Sequence, residues 1–163
     1  DFPGVIAVRN ELLPAGEREE NIPCNLNDRE WTEKIDATGG AVFFAAGVVY
    51  YFLKNQVESL VKDMAESFPG GKLVFDAANK TAVKIMLKTW IKTAEIKDVG
   101  AYFAVSDAKK EISEWSKNIS VSARGYMLGY NDLKDPSVSG FFRFLAKLGD
   151  NLMKMRIVRI DFE

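Results

Sequence analysis

Ala41-Val42-Phe43-Phe44-Ala45-Ala46-Gly47-Val48-Val49-Tyr50-Tyr51-Phe52 reads as a buried strand that runs into a glycine turn. Its apolar residues are continuous rather than alternating, which is the pattern of a parallel strand covered on both faces. A glycine at the end of such a strand marks the edge where an open α/β sheet places its ligand. A sheet that binds a nucleotide-like cofactor also needs a glycine-rich strand-to-helix turn, and none stands before Ala41. The sequence therefore reads as the later part of a cofactor-binding domain whose first part is absent.

The flanking segments continue this alternation. Phe2-Pro3-Gly4 starts a helix that runs to Pro14, with Val5, Ile6, Val8, Leu12 and Leu13 in a partly helical period. Ala15 to Glu20 is polar and loop-like, and Asn21 to Leu26 has the length of a short strand, weakened by Pro23. Asn27 or Asp28 caps a short helix containing Trp31 and Ile35, and Gly39-Gly40 breaks the chain before the central strand. The clearest helix is Asn55 to Phe68. Its Val57, Leu60, Val61, Met64, Ala65 and Phe68 recur at helical spacing, with Glu58, Lys62, Asp63 and Glu66 opposite. Pro69-Gly70-Gly71 stops that helix, Lys72 to Asp76 forms a second buried strand, and Asn79 caps a helix from Thr81 to Ile91. Strand, helix, strand, helix in this order predicts right-handed crossovers and a parallel sheet.

The last third departs from that rhythm. Ala108 to Trp115 reads as a short helix and Val121 to Tyr130 as a strand, with a turn at Asn131-Asp132. Val138 to Met155 reads as a helix whose apolar side carries Phe141, Phe142, Phe144, Leu145, Leu148, Leu152 and Met153. Arg156 to Phe162 alternates strictly, which predicts an edge or antiparallel strand with one solvated face. No linker or repeat divides residues 1–163, so they read as one partial domain.

Composition narrows the chemistry. The 163 residues are 47% apolar and 28% charged, enough for one domain with a real core. Interleaved charges summing to −1 offer no basic surface for nucleic acid. The longest apolar run, Ala41 to Leu53, is 13 residues, short of a membrane span. Neither nucleic acid nor membrane is an expected partner. There is no histidine, which removes Ser-His-Asp and Cys-His nucleophile mechanisms and argues against a transition-metal site. The single Cys24 allows no internal disulfide and fits a reducing, cytoplasmic setting. The chain opens on Asp rather than Met, as expected of a sequence that starts mid-domain.

Ligands should gather near Asn25, Ala46-Gly47 and Asp76 to Asn79, where the parallel strands end. Each residue also has a plain structural role. Gly47 suits a tight turn, Asn25 and Asn79 suit helix caps, and Asp76 can simply end its strand. Tyr50 and Tyr51 suit half-buried packing as well as acid–base work.

Taken in order, these segments resemble the leucine carboxyl methyltransferase family, which includes tetracenomycin-type polyketide O-methyltransferases. Asp1-Phe2-Pro3-Gly4-Val5-Ile6 is similar to that family's "DLPEVI" segment, and Arg9 to Pro14 to its "R.ELLP". Asn25-Leu26 stands where the family has Asp-Leu. Ala45 to Phe52 follows "hydrophobic-Ala-Glu-Gly-Val-hydrophobic-x-Tyr-Leu", and Phe68 to Asp76 follows "FPGG.L.FD". The resemblance is densest over residues 1–80. It implies a class I S-adenosylmethionine methyltransferase (Rossmann-like) α/β sheet, incomplete at its N-terminus, with an antiparallel C-terminal strand.

It also implies roles. Asp1 would accept hydrogen bonds from the two ribose hydroxyls, as suits an acceptor-only carboxylate. Asn25 would stand beside adenine and Leu26 on the purine face, while Ala46 and Gly47 would line the methionine end of the cofactor. Two departures stand out. Ala46 replaces the family's Glu, and the glycine-rich loop with an upstream Arg would both lie before Asp1. In the family's sheet order, 3-2-1-4-5-7-6, the first two strands are then missing. Asn21 to Leu26 loses its neighbour, and Ala41 to Ala46 becomes an exposed apolar edge that invites pairing with a second copy of the chain.

The expected function is S-adenosylmethionine-dependent O-methylation of a small-molecule hydroxyl or carboxylate, with Tyr50, Tyr51, Tyr126 or Tyr130 orienting the acceptor. The 163-residue chain alone is expected to show no turnover, because half of the cofactor site is absent. The rival reading is a methyltransferase-like binding or assembly module that no longer catalyses, and Ala46 favours it.

Overall fold

The computed structural model describes residues 1–91, 100–129 and 133–163, with the side chains of residues 90 and 91 left aside. Its centre is a four-stranded mixed sheet of order β1-β2-β4-β3, comprising β1 (Val42–Ala45), β2 (Lys72–Ala77), β3 (Ile119–Gly125) and β4 (Arg156–Phe162). β1 runs parallel to β2, whereas β4 is antiparallel to both β2 and β3. This is the 4-5-7-6 portion of the expected order, with the reversed strand in its expected place. Arg156 to Phe162 is antiparallel as its alternation predicts, but it lies inside the sheet rather than at an edge.

One face of the sheet is packed. Leu73, Phe75 and Ala77 of β2, Ile119 and Val121 of β3, and Val158, Ile160 and Phe162 of β4 are all buried there. Against them lies α2 (Lys54–Ser67), through Val57, Val61, Met64 and Ala65. The helical spacing of these apolar residues is what buries one side of α2 and leaves the other wet. Gln56 Oε1 accepts from Leu53 N at 2.8 Å, satisfying one orphan donor at the start of the helix. Phe103, Ile112 and Trp115 extend the core beneath α4 (Ala108–Ser113). Trp31 closes the other end, on a 3-10 turn over Arg29–Lys34, with its ring 6.1 Å from Phe43 and 6.0 Å from Phe68.

The opposite face is left half open. Val42 and Phe44 are 57% and 77% exposed, so β1 is not the doubly covered strand its apolar run suggests. It is shorter than that run, and among the described residues its outer edge pairs with no strand. Arg159 bonds Asp161 on this face, and Lys72 lies 3.7 Å from Asp161, so the face turns polar toward β4.

Several boundaries differ from expectation for physical reasons. Asn21 to Leu26 forms no strand, and Leu26 already belongs to a turn. Bonds from Cys24 N to Asp1 O at 2.7 Å and from Asp1 N to Ile22 O at 3.3 Å link it to the N-terminus, and Pro23 has no N–H to donate. The strand expected from Val121 to Tyr130 begins at Ile119 and turns after Gly125. Tyr130 and the Asn131-Asp132 turn lie outside the described residues. The helix from Asn79 is α3 (Lys80–Met86), which widens into a π-type turn over Leu87–Ile91. The expected Val138 to Met155 helix is α5 (Gly140–Asn151), and the side it buries is Ala146, Gly149 and Asp150 rather than its apolar side. Phe141, Phe144, Leu145 and Leu152 face solvent. α1 (Pro3–Leu12) similarly buries Ile6 alone and exposes Val5, Val8 and Leu12. Among the described residues, no helix is long and apolar enough to cross a membrane.

The one-sided core makes a contrast testable. Phe75→Ala should cost about 3–5 kcal/mol in chemical denaturation, as expected for emptying a fully buried aromatic site. Phe44→Ala, two positions from the same edge in sequence pattern but open to water, should stay within about 0.5 kcal/mol.

Candidate functional site

Strand register places three carboxyl ends together. Ala45 lies opposite Phe75, while Arg156 at the start of β4 is paired with both Ala77 and Gly125. β1, β2 and β3 therefore finish along one edge, where the segments 46–50, 76–79 and 125–129 meet. This is the edge at which sheets of this topology bind ligands.

The turn after β1 is held from β2. Gly47 has φ +67, a left-handed conformation that costs a side-chain-bearing residue about 1–2 kcal/mol. Its N–H donates to Asp76 Oδ1 at 2.6 Å, across 29 residues of sequence. Ala46 and Gly47 are exposed, and a Cβ added at Gly47 would meet nothing within 4 Å, so the turn borders open space.

Tyr50 and Tyr51, alike in sequence, part company here. Tyr51 is 42% exposed, whereas Tyr50 is buried to 7% against Ala78 and Val83. The Tyr50 carbonyl accepts from Tyr102 N at 2.7 Å and Phe103 N at 3.2 Å, which ties the turn to the following segment. Its phenol is pushed above the ordinary value of 10.0, first by burial, then by the Asp76 charge and hydrogen bond, and last by Tyr126. Tyr50 is thus a neutral donor beside Asp76 at any physiological pH, and not a general base.

Asn79 combines its cap with a second task. Its Oδ1 accepts from Ala82 N at 3.0 Å, and its Nδ2 donates to Leu152 O at 2.8 Å. The end of α5 is thereby fastened to the rim. Asp150, buried on α5, accepts from Met127 N at 3.0 Å and Leu128 N at 2.8 Å, which shapes the loop that carries Tyr126.

The other expected site residues form a second group. Asp1 N lies 3.3 Å from Ile22 O, and Asp1 O accepts from Cys24 N, so Asp1 does stand beside the Asn25-Leu26 segment. The Asp1 carboxylate accepts from its own neighbour, Phe2 N, at 2.7 Å. Asn25 Oδ1 accepts from Asn27 N at 3.1 Å, the local turn role its residue type favours. Leu26 packs partly against the main core. An open groove of about 480 Å³ runs along α1, lined by Asp1, Val5, Val8, Arg9, Leu12 and Leu13 among others. No cluster of potential metal ligands occurs among the described residues. Sequence reasoning placed Asp76 at the ligand edge or as a strand end but not as the partner of Gly47, because a bond spanning 29 positions leaves no local pattern.

No family model matches this sequence, and no curated protein matches it. Solved structures do. Over 99% of its length the chain follows a candidate methyltransferase from Thermobifida fusca, at TM-score 0.61 and 15% identity, covering 60% of that chain. A DUF574 family protein from Streptomyces avermitilis gives TM-score 0.58 and 10% identity, with 99% of this chain on 62% of that one. LepI in complex with SAM gives 0.54 and 12%, with all of this chain on 35% of LepI. At such identities the likeness is one of fold: an α/β chain with the mixed sheet of class I S-adenosylmethionine methyltransferases. The chain spans less than two thirds of each of these structures.

Two outcomes follow from the geometry of the turn and of Tyr50. Gly47→Ala should destabilise by about 1–2 kcal/mol from backbone strain alone, since no neighbour crowds the new methyl. Because the folded phenol holds its proton more tightly, its contribution is complete below the ordinary value of 10.0 and fades as pH rises beyond it. Tyr50→Phe should therefore flatten the alkaline limb of the stability profile above that pH, as followed by thermal unfolding in a pH series.

Proposed function

We propose that this chain carries the later half of an S-adenosylmethionine-dependent O-methyltransferase resembling the leucine carboxyl methyltransferase and tetracenomycin-type family, acting on a small-molecule hydroxyl or carboxylate. The observation that carries the reading is the turn at Ala46-Gly47, pinned by Asp76 at the edge where three strands end, in a sheet of the 4-5-7-6 order. The similarity in fold to a SAM complex and to a candidate methyltransferase supports it.

The residues present fit such a cofactor. Gly47 borders open space on the ligand edge, and Asp1 offers an acceptor-only carboxylate beside the segment that carries Asn25 and Leu26. In this reading Asp1 takes the ribose hydroxyls, Asn25 and Leu26 flank adenine, and Ala46 with Gly47 lines the methionine end. The bound cofactor would supply an electrophilic methyl group on a sulfonium. The chain's share is then to hold the acceptor oxygen in line and exclude water, which is chiefly proximity and orientation. In this reading exposed Tyr51 and Tyr126 orient the acceptor, while Tyr50 is buried beside Asp76. A cytoplasmic setting accords with the single cysteine.

A second reading rests on Ala46. With no carboxylate at that position, the domain would bind or assemble without catalysing. The uncovered edge of β1 and its exposed Phe44 suit self-association, and we propose a homodimer through that edge.

Titration calorimetry with S-adenosylmethionine, paired with transfer of labelled methyl to a panel of small hydroxyl and carboxyl acceptors, tests the reading. Weak or partial cofactor binding with no turnover is expected of these 163 residues, and turnover is expected only where the remaining cofactor-binding elements are supplied. No cofactor binding even then would favour the non-catalytic module. Sedimentation velocity of Phe44→Lys should show less self-association than the parent chain.

A further inference from the structure

We propose that Asp76 is a positioning residue, which holds the Ala46-Gly47 turn in the shape that the cofactor meets. The proposal rests on the methyltransferase reading and adds to it a residue that the family resemblance leaves without a role.

Three observations on different segments converge. First, Asp76 Oδ1 receives the Gly47 N–H at 2.6 Å, shorter than an ordinary amide bond to oxygen. An ionised acceptor strengthens and shortens such a bond. Second, Gly47 sits at φ +67, so the turn it forms is one of several open to a glycine, and the bond from β2 selects among them. Third, the far end of the turn is also fixed. Tyr50 is buried, and its carbonyl is taken by Tyr102 N and Phe103 N. The segment 47–50 is thus fixed at its start by the Asp76 carboxylate of β2 and at its end by the backbone of residues 102 and 103. Ala46, immediately before, is left exposed at a defined place on the ligand edge.

The Asp76 carboxylate acts through Gly47, and its effect on a ligand is preorganisation: a turn already in its bound shape loses less freedom on binding. A strand-ending aspartate without this role would sit at the same position, but its loss would leave cofactor affinity alone.

Two measurements separate these cases. In the wild-type chain, a through-hydrogen-bond scalar coupling between the Gly47 nitrogen and the Asp76 carboxyl carbon should be detectable by NMR. Calorimetry with S-adenosylmethionine should show Asp76→Ala binding about tenfold or more weakly than wild type, the scale of a lost hydrogen bond to a charged group. Asp76→Asn keeps an oxygen acceptor for Gly47 and should stay within about threefold. A folded Asp76→Ala that binds as wild type does, or a wild-type chain with no Gly47–Asp76 coupling, overturns the proposal. If the wild type binds no cofactor even with the remaining cofactor-binding elements supplied, it is the methyltransferase reading that fails, and the coupling alone then decides whether Asp76 braces the turn. The coupling needs no variant, so a misfolded Asp76→Ala leaves that test intact.

Discussion

The rest of this structure depends on β2 being paired on both sides. It takes β1 in parallel along one edge and β4 antiparallel along the other, from Lys72 through Ala77. Its alternation then assigns two duties to six residues. Leu73, Phe75 and Ala77 form the floor of the core, while Asp76 faces the other way at the ligand edge. Both pairings depend on Gly70 and Gly71. Gly70 N and Gly71 O exchange hydrogen bonds with Phe162 at 2.9 Å each, and a Cβ at Gly71 would come within 2.8 Å of Phe68 O. Only a residue without a side chain lets α2, β2 and β4 approach so closely.

Much of the fold was legible in the residues because local pattern and tertiary burial agree there. α2 shows a helical stripe and buries that stripe, and β2 shows a short apolar run between turn residues and becomes an inner strand. Where the two disagree, pattern misleads. The stripe of α5 is stronger to the eye than that of α2, yet the helix packs through Ala146 and Gly149, whose small size permits close approach. Asn21 to Leu26 has strand length but, among the described residues, no partner strand along it, and backbone groups without a partner strand do not make a sheet. Phe44 shows the same rule within a strand: apolar composition predicts burial only where a second layer exists to supply it.

The candidate site was legible in part. The glycine after β1 and the asparagine after β2 announce themselves, because turn and cap residues act on their nearest neighbours. Asp76 does not, and neither does the division of labour between Tyr50 and Tyr51. Both depend on contacts that the chain makes only after β1 and β2 have paired, such as the Asp76 bond to Gly47 and the lock of Tyr50 O onto Tyr102 and Phe103. The Asp1 and Asn25 group is the converse. Motif order places the two segments side by side, and they do meet through Cys24, while the side chains themselves are taken up by local turns.

The place of β4 in the sheet has a consequence for synthesis. Residues 156–162 are the last of its strands to leave the ribosome, yet they lie between β2 and β3. Until they arrive, β1–β2 and β3 are separate pieces, each presenting Leu73, Phe75 or Val121 to the cellular milieu instead of to a core. Such long-range pairing is slow and leaves apolar strands unguarded while it waits. The sheet therefore cannot close before Arg156 to Phe162 have been made. A nascent chain stalled short of Arg156 would hold its earlier strands unpaired and exposed to aggregation.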